Sequence, residues 1–418
     1  MTKLDRERLV HVPGSKSISN RALICAALAN SQSVITNLAP GDDTQAMFDS
    51  LQTLGVAISR AQDGATINGG LDLESTTVVE LQTRLAGTTS RFLTAVASLR
   101  NGATTVDGDA SLRTRPMSGL HDALRTLGAS VVCSGVDGHL PVTVKRGGSW
   151  QNQIAIDSTT SSQFTSALMM IAPCFPKGLE IELRGKVVSR GYLDMTVAVM
   201  REFGARTEIS GNNIWVAPGA YQGANFSVEP DASSASYPSA AVAIAGGSSI
   251  IAGLTRNSSQ RDVEFLDVLS NMGCQVQQVE SGIQIFRDPS VALAGIEVDM
   301  SDISDCVPTL AVVAMFANSP TKISGVGFIR TKESNRISDL AGELRKFGAQ
   351  IVENDDGLTI SPAPLHAAKV VTHHDHRLAM AFALVGLKVR DVVIETPEVV
   401  SKSWPTYFGD FAKFTKTK

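Results

Sequence analysis

The sequence predicts an α/β protein of two domains built from repeated units, and three observations carry that prediction. The chain has 418 residues, more than one compact domain of ordinary size takes up. Five segments, "SLQTLGVAI", "ALRTLGASV", "VMREFGARTEI", "VLSNMGCQV" and "ELRKFGAQI", share one pattern, an amphipathic helix that ends in Gly and runs into an alternating strand. Their glycines, Gly55, Gly128, Gly204, Gly273 and Gly348, stand about seventy residues apart, and repetition at a fixed long period means one structural unit used many times.

A Gly at the end of each helix supplies the left-handed backbone that lets the chain turn directly into a strand. With a sixth, degenerate unit around "HHDHRLAMAFALVGL", six α/β units are expected, three to a domain. No Pro- or Ser-rich linker separates the halves. The stretch "GANFSVEPDASSASYPSAAVAIAGG" is the candidate crossing, because a Pro-Asp pair and small residues precede a new apolar helix there, and Pro13-Gly14 is a second. Two crossings make one domain discontinuous, residues 1–12 plus 228–418, and leave residues 13–227 as the other.

Taken in order, the helix starts share a chemical oddity. In "HVPGSKSISNRALICAAL" Pro13-Gly14 turns, Ser15 or Ser17 can cap, and the run from Ile18 to Leu28 reads as a helix, which puts Lys16 and Arg21 at or near its start. That end already carries partial positive charge, so a cation there is unfavourable unless an anion joins it. In "LAGTTSRFLTAVASL" Arg91 sits in the first turn, after a loop of Gly87, Thr88, Thr89 and Ser90. In "GDASLRTRPMSGLHDALRTLG" Arg113 and Arg115 precede Pro116, a residue favoured at a helix's first position. "STTSSQF" offers Ser161, Ser162 and the Gln163 amide at another helix start. In "RTKESNRISDLAGELRKFG" Lys332 and Arg336 flank a helix start, in "HHDHRLAMAFALVGL" Arg377 opens one, and in "VSKSWPTYFGDFAKF" Lys402 precedes one beginning near Pro405. A single such cation is ordinarily a solvated surface charge. Six helix starts carrying Lys or Arg, with hydroxyl donors beside them, read instead as sites for phosphate or carboxylate.

Composition narrows the ligand. A net charge of −4 argues against nucleic acid or an anionic membrane as partner, and aromatics at 5% leave few stacking platforms. The cations therefore point to small anions. "PGSKS" is not a P-loop, since the upstream Gly of G-x-x-x-x-G-K-[ST] is missing, and no G-x-G-x-x-G occurs. His373, His374, Asp375 and His376 could suggest a metal site, but consecutive strand residues face opposite ways, so Asp375 is read as a helix cap that orients Arg377. Cys25, Cys133, Cys174, Cys274 and Cys306 lack metal spacing and read as reduced core thiols. No signal peptide and no apolar run of membrane-spanning length is seen, which predicts a cytoplasmic protein.

For acid/base work the candidates are Asp305 in "SDISDCVPTL" and Glu333 in "TKESNR". A carboxylate at a helix start is ordinarily a cap. Among so many cations at anion sites, a carboxylate is out of character unless it moves a proton.

The set "PGSKSISNRAL", "AGTTSRF", "DGDASLRTRP", "SSQFTSALMMIAP", "EPDASSASY", "TKESNRI", "DHRLAMAFALVGL" and "SKSWPTYF", in this order from residue 12 to 408, resembles the 5-enolpyruvylshikimate-3-phosphate synthase family. The resemblance implies two inside-out α/β barrel domains, each of three βαβαββ repeats, with the active site in the interdomain cleft. It implies transfer of the enolpyruvyl group of phosphoenolpyruvate to the 5-hydroxyl of shikimate 3-phosphate with release of phosphate, by a monomer using neither metal nor cofactor. Position by position, Lys16 resembles the catalytic lysine touching both substrates, and Ser17 and Arg21 resemble binders of shikimate 3-phosphate. Ser161, Ser162, Gln163, Ser189, Tyr192 and Lys332 match further positions around that substrate, Gln163 reaching phosphoenolpyruvate as well. Gly87, Arg115, Arg336, Arg377 and Lys402 match the phosphoenolpyruvate set. Asp305 matches the residue that takes the 5-hydroxyl proton, and Glu333 the one that handles the methylene proton. Leu85 departs from the Asn of many members, and Phe328 stands where some place an Asn. A sister family that uses UDP-N-acetylglucosamine usually carries a reactive Cys on the loop matching "GDASLRTRP", and this loop has none.

Overall fold

Each of the five repeat glycines ends its helix in the left-handed region, with φ of +92° at Gly55, +105° at Gly128, +81° at Gly204, +110° at Gly273 and +92° at Gly348, in the computed structural model, which describes residues 8–415. Every such helix feeds the outer hairpin of a four-stranded sheet, and five sheets share one strand order. In one of them Leu179–Arg184 has Gln153–Asp157 parallel on one side and Asn213–Val216 antiparallel on the other, with Thr207–Ser210 at the far edge. The register sets Ile181 against both Ile154 and Ile214, so apolar residues share one face. The sixth unit is degenerate, a two-stranded sheet of Lys369–Val370 with Val393–Ile394.

The helices fall into two kinds. Those between repeats, Lys16–Leu28, Gly87–Ala97, Ser162–Ile171, Ala232–Ala245, Val307–Ala314 and His376–Ala383, are buried nearly all round, as Ala- and Ser-rich runs without a polar stripe must be. The helices within repeats are amphipathic; Ser338–Lys346 buries only Leu340, Ala341, Glu343 and Leu344. The strands alternate, as in Gln32–Thr36, where Ser33 and Ile35 are buried and their neighbours exposed. Helices thus fill the interior and sheets form the outside, the inverse of an ordinary α/β barrel.

The chain divides into two units, Met1–Pro13 with Glu229–Lys418, and Gly14–Val228, each with its own apolar core. Arg8–Val10 pairs in parallel with Gly247–Ala252, and Asn225–Ser227 with Gln32–Thr36. After each of these edge strands the chain leaves for the other unit and begins one of the buried helices.

Several local readings need correction. Pro116 does not open a helix: the chain makes a short helix Ala110–Arg113 and resumes at Ser118–Thr126, because Met117 takes the cap position. Lys402 itself ends a 3₁₀ helix, Pro397–Lys402, and the helix expected near Pro405 follows it as Tyr407–Thr415. His373 and His374 are not in a strand but in a turn, both at positive φ. All five cysteines are free, and burial pushes the Cys25 thiol up to about 12 and those of Cys174 and Cys274 up to about 11, which leaves them unreactive. No helix among the described residues is long and apolar enough to cross a membrane.

Candidate active site

In the unit Gly14–Val228 the site residues gather at the N-terminal ends of the three buried helices. Ser15 caps the first, its Oγ accepting from the Ile18 N–H at 3.4 Å. Lys16 follows, and its Nζ lies 3.2 Å from Asp43 at the start of Asp42–Thr53. Asp43 in turn touches the second buried helix, its carbonyl accepting from the Thr89 hydroxyl at 3.0 Å. One turn after Ser17, Arg21 is 1% exposed and among the described residues makes only neutral hydrogen bonds: Nε donates to Thr196 Oγ1 at 2.7 Å, Nη1 to the Ser17 carbonyl at 2.8 Å, and Nη2 to Ser166 Oγ at 3.2 Å and the Tyr192 carbonyl at 3.4 Å. Its guanidinium faces the rings of Phe92 and Tyr192 at 5.2 and 5.9 Å. Burial lowers its pKa to about 10. A buried cation held by neutral partners is a ready counter-charge for an anion.

The second helix begins at Gly87, and the guanidinium of Arg115 lies so close over it that an added β-carbon would stand 2.6 Å from Nη1. Glycine is there because the arginine needs the space. The third helix is capped by Ser161, whose Oγ accepts from the Gln163 N–H at 3.2 Å. Arg91 donates to Oε1 of Gln163, which turns the amide nitrogen toward Thr88 Oγ1 at 3.3 Å. Ser189 holds φ of +53°, a strained conformation for a residue with a side chain, and its carbonyl accepts from the Tyr192 N–H at 3.1 Å.

The other unit is built differently, with cations locked among its own carboxylates. Asp305 precedes the helix Val307–Ala314 yet does not occupy the cap position, which belongs to Cys306. Its Oδ1 accepts from Arg336 Nη1 at 2.9 Å and its Oδ2 from Arg377 Nη2 at 2.6 Å. Arg336, 1% exposed, also donates through Nε to Asp375 at 2.7 Å and through Nη2 to Glu333 at 2.5 Å. Burial works against its charge, but Asp375, Glu333 and Asp305 outweigh it and hold its pKa above the ordinary value. Asp375 does cap its helix, accepting from the Arg377 N–H at 2.9 Å, but its carboxylate orients the side chain of Arg336 rather than that of Arg377. Lys332 sits with Nζ 5.6 Å from the centre of the Phe328 ring, which serves as a platform for the cation. Lys402 is buried at the end of its 3₁₀ helix.

Within each unit the expected residues therefore do converge: Ser17, Arg21 and Tyr192 through one hydrogen-bonded web, Gly87 with Arg115, Ser161 with Gln163, and Asp305, Glu333, Arg336 and Arg377 through one ion network. Sequence reasoning missed Asp43, Ser166 and Thr196 as partners, and it placed Thr88 in a loop of donors and Arg91 at a helix start without linking either to Gln163. Asp43, in "PGDDTQ" at a helix start, had the signal of a cap; Ser166 and Thr196 carry none.

A family model described as EPSP synthase (3-phosphoshikimate 1-carboxyvinyltransferase) matches residues 5–411. The chain is 40% identical to a 3-phosphoshikimate 1-carboxyvinyltransferase of Nostoc punctiforme, covering 96% of this chain and 95% of the relative. It is 40% identical to the protein of that name from Tolumonas auensis, over 98% and 97% of the two chains. The solved EPSP synthase of Acinetobacter baumannii is similar in structure, with a TM-score of 0.78 at 26% identity over 99% of this chain and 97% of that one.

Proposed function

The chain belongs to the EPSP synthase (3-phosphoshikimate 1-carboxyvinyltransferase) family and carries out its enolpyruvyl transfer, and we propose how its residues divide that work. Shikimate 3-phosphate falls to Ser17, Arg21, Ser161, Ser162, Gln163, Ser189, Tyr192 and Lys332, where buried Arg21 and clustered hydroxyl donors favour a phosphate-bearing polyol. Phosphoenolpyruvate falls to Gly87, Arg115, Arg336, Arg377 and Lys402, with Lys16 and Gln163 reaching both.

The reaction forms a bond between the 5-hydroxyl oxygen and C2 of phosphoenolpyruvate while the hydroxyl proton passes to Asp305. A proton adds to the methylene carbon, making a methyl group; its later loss restores the double bond as phosphate leaves C2. Glu333 handles that carbon-bound proton, and Lys16 balances the charge of the departing phosphate. Asp305 pairs with Arg336 and Arg377, and Glu333 with Arg336. Phosphate and carboxylate of the arriving substrate take over those guanidinium donors and release the two carboxylates for proton transfer. The further expectations, a cytoplasmic monomer with domains at residues 1–12 plus 228–418 and 13–227, belong to the same proposal.

The observation that carries this reading is Asp305 bridging two buried arginines instead of capping its helix. Purified protein should release phosphate only when phosphoenolpyruvate and shikimate 3-phosphate are both present. No release from that pair, or equal release with UDP-N-acetylglucosamine as acceptor, overturns it.

A further inference from the structure

Lys332, Glu333 and Arg336, all assigned above to substrate, stand on one segment, residues 332–337, that is neither helix nor strand. It runs from the 3₁₀ helix Gly327–Thr331 to the helix Ser338–Lys346. Irregular backbone has no ladder of hydrogen bonds to fix its course, so other groups must decide where its side chains point. That task falls on Arg330, to which the mechanism above gives no part.

Arg330 is half-buried just before the segment, and its guanidinium reaches both the far end of the segment and the neighbouring hairpin. Nη1 donates to Ser338 Oγ at 2.9 Å and, at a longer 3.4 Å, to Asn335 Oδ1, which ties the start of the segment to the helix that follows it. The same nitrogen donates to Glu353 Oε1 at 2.9 Å, Nη2 to the Asn354 carbonyl at 2.7 Å and Nε to the Asp355 carbonyl at 3.3 Å. These acceptors form the tip of the hairpin of Gln350–Asn354 and Gly357–Ser361. The partners also bond one another: Ser338 donates its hydroxyl to Glu353 Oε1 at 2.6 Å and its N–H to Asn335 Oδ1 at 3.2 Å.

A single exposed ion pair is worth little. This one differs, because a guanidinium is a rigid planar fork of donors, so one side chain holds acceptors on the helix and the hairpin together in fixed geometry. The chain before Arg330 is fastened separately: Asp356 accepts from the N–H groups of Gly325 at 2.9 Å and Gly327 at 3.0 Å. Within the closed segment Arg336 is also held from outside, by Asp375 at 2.7 Å and Asp305 at 2.9 Å. Lys332 and Glu333 follow Arg330 closely in the chain, so their course is set by the turn that it closes.

We propose that Arg330 is a positioning residue: by closing the segment 332–337 onto the hairpin it aims Lys332 at shikimate 3-phosphate and Glu333 at the methylene carbon, touching neither substrate itself. The kinetic consequence rests on the assignment of those two residues above, whereas closure of the segment is readable in the protein alone.

Arg330→Met keeps an unbranched stem and removes every donor. Hydrogen exchange of the unliganded protein should show the amides of Ser338 and Asp339, both of which donate to Asn335, exchanging several-fold faster in this variant, and those of Gly325 and Gly327 unchanged. In steady-state kinetics kcat should fall about ten- to a hundredfold and the KM for shikimate 3-phosphate should rise about tenfold, as misplacement by about 1 Å implies, while the KM for phosphoenolpyruvate changes by less than about threefold. Arg330→Lys, a point charge in place of a fork, should recover part of kcat. Glu353→Gln keeps the shape and removes the charge; it should move the same constants the same way, and it keeps the test open if Arg330→Met does not fold. Unchanged exchange at Ser338 and Asp339 overturns the proposal. So does faster exchange with unaltered kcat, which would make Arg330 merely structural, or an equal rise in both KM values, which would spread the effect over the whole site. Faster exchange in the variant, beside a wild type that turns over neither substrate, would uphold the closure and strike instead at the substrate assignment.

Discussion

Replacing Gly87 by Ala should separate binding from folding. A β-carbon at position 87 stands 2.6 Å from Nη1, 2.9 Å from Cζ and 3.0 Å from Nη2 of Arg115. Carbon contacts are favourable only from about 3.5 Å, so the guanidinium has to retreat by about 1 Å. The retreat costs little in itself, because a guanidinium is the end of a flexible side chain, and Ala is favoured over Gly in a helix by about 0.5–1 kcal/mol. Thermal stability should therefore hold or rise. Phosphoenolpyruvate, in contrast, meets an arginine out of place, and a lost charge-assisted hydrogen bond is worth about 1.5–3 kcal/mol. That converts to a KM for phosphoenolpyruvate raised about ten- to a hundredfold, with the KM for shikimate 3-phosphate changed by less than about threefold. Steady-state kinetics with each substrate varied, beside a melting curve, reads both. An unchanged phosphoenolpyruvate KM would refute the reasoning, as would a loss of stability large enough to explain the change.

Leu85→Asn restores a polar group two residues before Gly87 and should lower the phosphoenolpyruvate KM by the value of one hydrogen bond, about 0.5–1.5 kcal/mol; a rise would show that the pocket is packed around the leucine. His121 is fully buried, and burial lowers its pKa to about 4 from 6.5. The unfolded chain therefore binds more protons between those values, and stability should fall as pH drops from about 6.5 toward 4, by on the order of 3 kcal/mol. His121→Gln should remove that part of the acid sensitivity in denaturant titrations at successive pH values; an unaltered slope would assign it elsewhere.

The repeat was legible because it rests on local rules. Gly55, Gly128, Gly204, Gly273 and Gly348 announce helix ends, and every one has the positive φ the turn demands. The cations at helix starts were legible for the same reason, as violations of a local electrostatic preference. Partners across the fold were not. Nothing in "SSQFTSAL" or "DMTVAVM" marks Ser166 and Thr196 as the groups that hold Arg21, since both look like ordinary small helix residues. Asp375 was read from its neighbours in sequence and so was matched to Arg377, when the side chain that reaches its carboxylate is Arg336, 39 positions away. Pro116 failed through local geometry, because a cap residue displaced the helix start.

In the proposed mechanism Asp305 is the base that takes the 5-hydroxyl proton. Asn has nearly the same shape and accepts a hydrogen bond, and Arg336 keeps Asp375 and Glu333 as counter-ions, so Asp305→Asn should fold and bind shikimate 3-phosphate. Loss of a general base costs about 10²–10⁴ in rate. Calorimetric binding of shikimate 3-phosphate together with phosphate release by Asp305→Asn is the most direct test. Near-normal affinity with turnover at least about a hundredfold slower is the predicted result, and turnover close to that of the wild type would reduce Asp305 to a counter-ion for its two arginines.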